Sequence, residues 1–231
     1  MKRSEINRII EDAIQYFEEH EFYLPKFAYW SLSEWLEKGP EITGIIKNQL
    51  GWDITDFNKG NFYKFGLVLF TIRNGNPDEV LTGGKQYCEK IMIVRENQIT
   101  PMHHHYNKME DIINRGGGTL LIKVYRKTDD EKLSDESFSI SIDGISKRCK
   151  AGEVLELAPG QSVTLTNDIY HKFWAKEGHG KLLVGEVSTV NDDTRDNKFL
   201  HEIGRFSEIT EDEEPKHFLY SDYEKYLRFE Q

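Results

Sequence analysis

The sequence predicts an all-β core, a sandwich or barrel of many short strands, with N-terminal α-helices packed on it. Three observations carry that reading. Residues 6–17 set apolar side chains at three- and four-residue steps, the period of a helix face. From Phe62 onward the chain changes to short runs rich in β-branched and aromatic residues. Turn residues then separate those runs at short, regular intervals. At 231 residues, 38% hydrophobic and 12% aromatic, the chain can fill a proper core, so one domain is expected over 1–231. Within it the reading assigns 1–60 to a helical layer, 61–205 to the barrel and 206–231 to a C-terminal extension.

Taken in order, the first helix uses Ile6, Ile9, Ile10, Ala13, Ile14 and Phe17, with Ser4 as its expected N-cap. A second helix starts near Ser31 or Ser33, uses Leu32, Trp35 and Leu36, and stops at Gly39-Pro40. Residues 62–72 are β-rich and end at the turn Asn74-Gly75-Asn76-Pro77. Residues 90–94 and 98–100 have β composition, and further strands are expected at 119–125, 138–142, 154–157, 162–165, 171–175 and 182–187. Gly116-Gly117-Gly118, Asp143-Gly144, Ala158-Pro159-Gly160 and Gly178-His179-Gly180 supply the turns between them. The acidic run 208–214 reads as a solvated surface loop.

Composition excludes several classes. A net charge of −10 without lysine or arginine runs opposes a nucleic-acid partner, which needs a basic patch. No apolar stretch approaches the ~20 residues that span a bilayer, so no membrane partner is expected. Acidic residues follow Lys2 and Arg3 too soon for a secretory apolar region. The two cysteines, Cys88 and Cys149, form no CxxC pair, so neither a disulfide framework nor a thiolate zinc site is expected. A reducing cytoplasm suits that usage.

The chemistry concentrates in Met102-His103-His104-His105-Tyr106-Asn107-Lys108-Met109-Glu110. On a strand, the period of two sends His103 and His105 to one face and His104 to the other. Glu110 lies far enough on for the chain to turn and bring a carboxylate back to the same point. Two imidazoles and a carboxylate lack only a further ligand, and His171 on a later strand is the candidate. The spacing His103-x-His105-x4-Glu110-x6-Gly117, then Pro159-Gly160 and His171, resembles the paired motifs of the cupin superfamily. That resemblance implies a double-stranded β-helix, or jelly-roll, barrel in which these four side chains bind one divalent metal. The second motif departs from the pattern, being stretched between its Pro-Gly and its histidine. A mixed nitrogen and oxygen sphere suits manganese, zinc, iron, cobalt or nickel.

Other side chains decide what such a metal does. Lys108 lies between two expected ligands, Lys90 on an earlier strand and Glu186 on a late one; Asn191 to Asn197 is dense in hydrogen-bonding groups, and Phe173 and Trp174 offer apolar faces. The strings around Lys85 to Lys90, Thr100 to His103, Lys108 to Gly118 and Gly185 to Asp193 together resemble the D-lyxose ketol-isomerases, most strongly over residues 85–199. The resemblance implies a manganese-dependent homodimer that interconverts D-lyxose with D-xylulose and D-mannose with D-fructose. The expected chemistry is proton transfer between C1 and C2 through a metal-stabilised cis-enediolate. Glu186 is then the expected base, Lys108 polarises the carbonyl or manages a hydroxyl proton, and Lys90, Asp193, Arg195 and Trp174 hold the sugar. Three alternatives stand beside it: a cupin dioxygenase, a phosphosugar isomerase, and a non-catalytic sugar-binding module.

Overall fold

The apolar runs around 67–70, 91–94 and 182–184 lack the alternation of a half-exposed strand. The computed structural model, which describes residues 1–227, shows why: both faces of these strands are covered. Among the described residues thirteen strands, β1 (Gly51–Thr55), β2 (Leu67–Arg73), β3 (Tyr87–Val94), β4 (His103–His105), β5 (Glu110–Gly116), β6 (Leu120–Arg126), β7 (Phe138–Ile142), β8 (Ile145–Cys149), β9 (Val154–Leu157), β10 (Ser162–Leu165), β11 (Ile169–Ala175), β12 (Leu182–Thr189) and β13 (Asn197–Phe199), form two antiparallel sheets. The larger runs β1-β2-β3-β12-β5-β10-β7-β8 and the smaller β13-β4-β11-β6-β9. Between them lies the core of a cupin-type barrel, where Leu67, Leu69, Met92, Val94, Ile122, Val163, Phe173 and Val184 meet.

The opposite face of β1, β2, β3 and β12 presents Trp52, Ile54, Val68, Phe70, Ile91, Ile93 and Leu183 to helix α1 (Arg3–Glu19). Ile6, Ile9, Ile10 and Phe17 fill that layer at 0–1% exposure. Each is worth about 1.5–3 kcal/mol of burial, which explains why an isolated amphipathic pattern becomes a stable helix here. Helix α2 (Leu32–Leu36) begins at Ser31, whose hydroxyl accepts from Glu34 N while Glu34 Oε2 accepts from Ser31 N, a capping box. With α3 (Thr43–Lys47) it packs near the C-terminal segment, where Trp35, Ile42, Phe218 and Tyr223, the first residue of α4 (Tyr223–Tyr226), share a cluster.

Several local expectations are corrected. Ser4 does not cap α1; Lys2 holds that place without a side-chain bond, and Ser4 N and Oγ both donate to Asp212, at 2.9 and 2.8 Å. The acidic run therefore does more than face solvent: it supplies acceptors to the α1 N-terminus, where orphan N–H groups favour negative charge. Strand β1 falls inside the stretch read as helical, so the sheet begins before residue 60. Residues 62–64 form a turn, and 98–100 form no strand: Ile99 makes an isolated bridge to Phe65, and Thr100 N donates to Phe173 O of β11 at 3.1 Å. Of the extension expected over 206–231, residues 228–231 lie outside the described residues. At the turn between β5 and β6, Gly117 has φ +94°, and a Cβ there would meet Lys181 O at 2.3 Å, so only glycine fits. Among the described residues, no helix is long and apolar enough to cross a membrane.

Candidate active site

Strand β4 lies between β11 and β13, with His103 opposite both His171 and Phe199 and His105 opposite Asn197. The period of two turns His103 and His105 into the barrel and His104 out against Tyr170, at a ring separation of 4.7 Å. After the loop 106–109, Glu110 opens β5 and points inward. One ligand atom each from His103, His105 and His171 lies within 4.8 Å of the others. Glu110 Oε1 is 3.3 Å from His105 Nε2 and 3.2 Å from His171 Nε2.

The proton positions follow from the partners. His103 Nδ1 faces Pro101 O at 2.8 Å and His171 Nδ1 faces Ile169 O at 3.3 Å. A carbonyl only accepts, so both Nδ1 atoms carry the hydrogen and both Nε2 atoms keep a lone pair. His171 Nε2 and Glu110 Oε1 are buried and have no hydrogen-bond partner. Burial and the neighbouring imidazoles hold His103 well below its ordinary pKa, and burial with Lys108 lowers His105, so both stay neutral. Burial pushes the Glu110 carboxyl up, but the adjacent Lys108 ammonium outweighs it and holds the group well below the carboxylate range. Three imidazoles and a carboxylate converging on one buried point are a nitrogen and oxygen donor set that fits a divalent cation.

Behind this cluster runs a continuous chain of buried charge. Lys108 Nζ lies 2.6 Å from Glu110 Oε2 and 2.9 Å from Glu186 Oε1. Lys90, opposite Glu186 in the β3–β12 ladder, is 3.5 Å from the same Oε1 and donates to Asp193 at 3.0 and 2.9 Å. Arg205 links Asp193, at 3.5 Å, to Asp53, at 2.5 Å. Burial alone disfavours every one of these charges. The pairing reverses that for Lys90 and Lys108, which are held above their ordinary range, and for Asp193, held below its own. Asp53, at the far end of the chain, is the exception: burial raises its carboxyl despite the neighbouring Arg205.

One cavity of about 40 Å³ brings together His103, His105, Glu110, His171, Lys108, Glu186, Lys90 and Asp193. Its apolar wall includes Phe57, Leu69, Phe173 and Phe199. Two expected sugar contacts are not there. Trp174 is one residue out of phase with His171 and Phe173, so it faces outward beneath Lys172 Nζ, 5.6 Å from its ring centroid. Arg195 lies on the outer side of its loop with an 87% exposed side chain, paired with Asp192. The arginine that does line the cavity is Arg205, and Asp53, Asn197 and Phe199 are also at the site or behind it. Asp53 carried one signal, an acid in the middle of an apolar β-run; Arg205 carried none.

The family model for D-lyxose isomerase matches residues 1–223 of this chain. The chain belongs to the D-lyxose isomerase family. Within the family, the D-lyxose/D-mannose isomerase of Serratia proteamaculans is 44% identical over 233 residues, covering 98% of this chain and 100% of the relative. That of Escherichia coli O157:H7 is 43% identical over 227 residues, with the same coverage of 98% and 100%. The fold is also that of L-ribose isomerases solved with L-ribose. The Cellulomonas parahominis enzyme superposes with a TM-score of 0.57 at 18% identity, over 91% of this chain and 98% of the other. The Acinetobacter sp. DL28 enzyme gives 0.57 at 15% identity, over 87% and 93%.

Proposed function

We propose that this chain is a divalent-metal-dependent aldose–ketose isomerase acting on D-lyxose and D-mannose, forming D-xylulose and D-fructose by moving a proton between C1 and C2. The observation that carries the reading is the convergence of a cation-shaped donor set with a buried carboxylate–lysine pair in one cavity. His103, His105, His171 and Glu110 would hold the metal, manganese in the first instance, which supplies Lewis acidity toward the O1/O2 edge of the sugar, worth several kcal/mol.

Glu186 is the proposed base. Lys108 and Lys90 both address its Oε1, which fixes the carboxylate and leaves Oε2 to take the proton from C2 and return it to C1 on the same face. Lys108 donates to the sugar oxygen on which negative charge develops. Lys90 and Asp193, with Arg205 behind them, orient the remaining hydroxyls. The apolar wall meets sugar C–H groups and keeps bulk water from the reacting carbons. A phosphosugar fits less well, since the three cations that line the cavity, Lys90, Lys108 and Arg205, are each already engaged by a buried carboxylate.

The same reading expects a homodimer, which sedimentation equilibrium would detect, and a cytoplasmic enzyme, consistent with two free, buried cysteines. The deciding experiment strips the protein with chelator, restores single divalent ions, and assays ketose formation from D-lyxose and D-mannose. Turnover is expected only with metal restored, highest with Mn2+. No ketose with any ion would overturn the isomerase reading, and full turnover without metal would overturn the metal.

A further inference from the structure

We propose that Asp196 is a positioning residue that ties the metal centre and the lysine-bearing loop to one anchor. The inference rests on the reading above, in which His105 holds a metal ion and Lys108 acts on the sugar. The loop 106–109 connects His105 to Glu110, so any slack in it moves two ligands and Lys108 together. Asp196 takes up that slack. Its carbonyl accepts from Tyr106 N at 3.2 Å, its Oδ1 from Asn107 N at 2.8 Å and Asn107 Nδ2 at 3.3 Å, and its Oδ2 from Lys108 N at 3.2 Å. Three consecutive amides of the loop thus end on one residue. Asp196 is 5% exposed and is itself fixed, its N–H donating to Asp192 O at 3.0 Å and its neighbour Asn197 pairing with His105.

The second line of argument is the imidazole. His103 and His171 each satisfy Nδ1 on the carbonyl two residues earlier, Pro101 and Ile169. His105 breaks the pattern: its Nδ1 is buried with no hydrogen-bond partner, and the acceptor placed beside it is Asp196 Oδ2, at 3.9 Å. A carboxylate behind a metal-binding histidine fixes its tautomer and ring orientation and raises its basicity. One side chain therefore aims the His105 lone pair and sets the register of Lys108 against Glu110 and Glu186.

The test is Asp196→Asn, which keeps the side-chain shape and the acceptor for Asn107 but can turn an N–H toward His105 Nδ1 and Lys108 N. In a parent that binds Mn2+, the variant is expected to bind it about 10–100-fold more weakly, counted as free ion by electron paramagnetic resonance. The bound-ion spectrum should change, and kcat should fall by more than KM rises. The metal-free melting temperature should stay within a few degrees of the parent, a result that a merely structural role would not combine with lost affinity. Should Asp196→Asn fail to fold, Asp196→Ser carries the same readouts. Parental Mn2+ affinity and kcat in the folded variant would overturn the proposal while leaving the metal site intact. A parent that binds no Mn2+ would overturn the metal reading and the proposal with it.

Discussion

Lys108 is where the proposed metal and the proposed base become coupled. Its one ammonium serves Glu110 Oε2 at 2.6 Å and Glu186 Oε1 at 2.9 Å, so moving it disturbs a ligand and a base at once. Glu186→Gln isolates the base from the frame, since the amide oxygen can still accept from Lys108 and Lys90. That variant is expected to lose about 10²–10⁴-fold in kcat, the span of a general base, while elemental analysis still finds a full complement of manganese. Unchanged turnover would place the base elsewhere. His103→Ala and His171→Ala should behave oppositely, losing the metal first; stoichiometric manganese in either would show that the ligand set is misdrawn.

Whether an element was legible in the sequence depended on how local its signal is. His103 and His105 sit on one strand, where alternation alone placed them on one face, and Glu110 opens the next strand after a short turn. Lys90 and Glu186 were visible as polar residues on apolar strands, but their pairing across the β3–β12 ladder is a matter of register that spacing does not contain. Asp53 and Arg205 were missed because each explains the other across a large sequence separation. Strand β8 gave no pattern because it is a polar edge, exposed at four of five positions, and β13 is only three residues long. Trp174 was misplaced because strand alternation, applied to His103 and His105, was not applied to the strand that carries His171. The helical layer, legible from its period, also admits a test: Ile10, fully buried between α1 and the sheet, should cost about 2–5 kcal/mol as Ile10→Ala, read as a lowered urea midpoint. An unchanged midpoint would mean that α1 is not part of the cooperative core.

At the scale of the whole molecule, the first and last segments are clamped together by charge. Arg3 is 0% exposed and donates to Asp222 at 2.9 and 2.7 Å and to Glu211 at 2.8 and 3.0 Å, while Thr210 O accepts from Arg3 N. Removing one partner of a buried pair leaves the other charge uncompensated, so Arg3→Met should destabilise the fold by about 3–5 kcal/mol at neutral pH. The clamp also has a pH signature. Hydrogen bonds from Arg3, then Lys225, hold Glu211 down to about 2, against 4.5 for an unperturbed glutamate. A carboxyl lowered by folding adds stability in full above the unfolded value and loses it as pH falls toward the folded one. The parent should therefore shed stability between pH 4.5 and 2 that Arg3→Met has already lost. Glu211 is a third exposed, so the effect is screened and its size is left to the measurement. Carboxyls that Arg3 does not touch contribute alike in both proteins, so the difference between the two melting curves isolates the clamp. Melting temperatures taken from pH 7 down to 2.5 should converge as acid is added. Curves that stay parallel would mean that Arg3 stabilises the chain by packing alone.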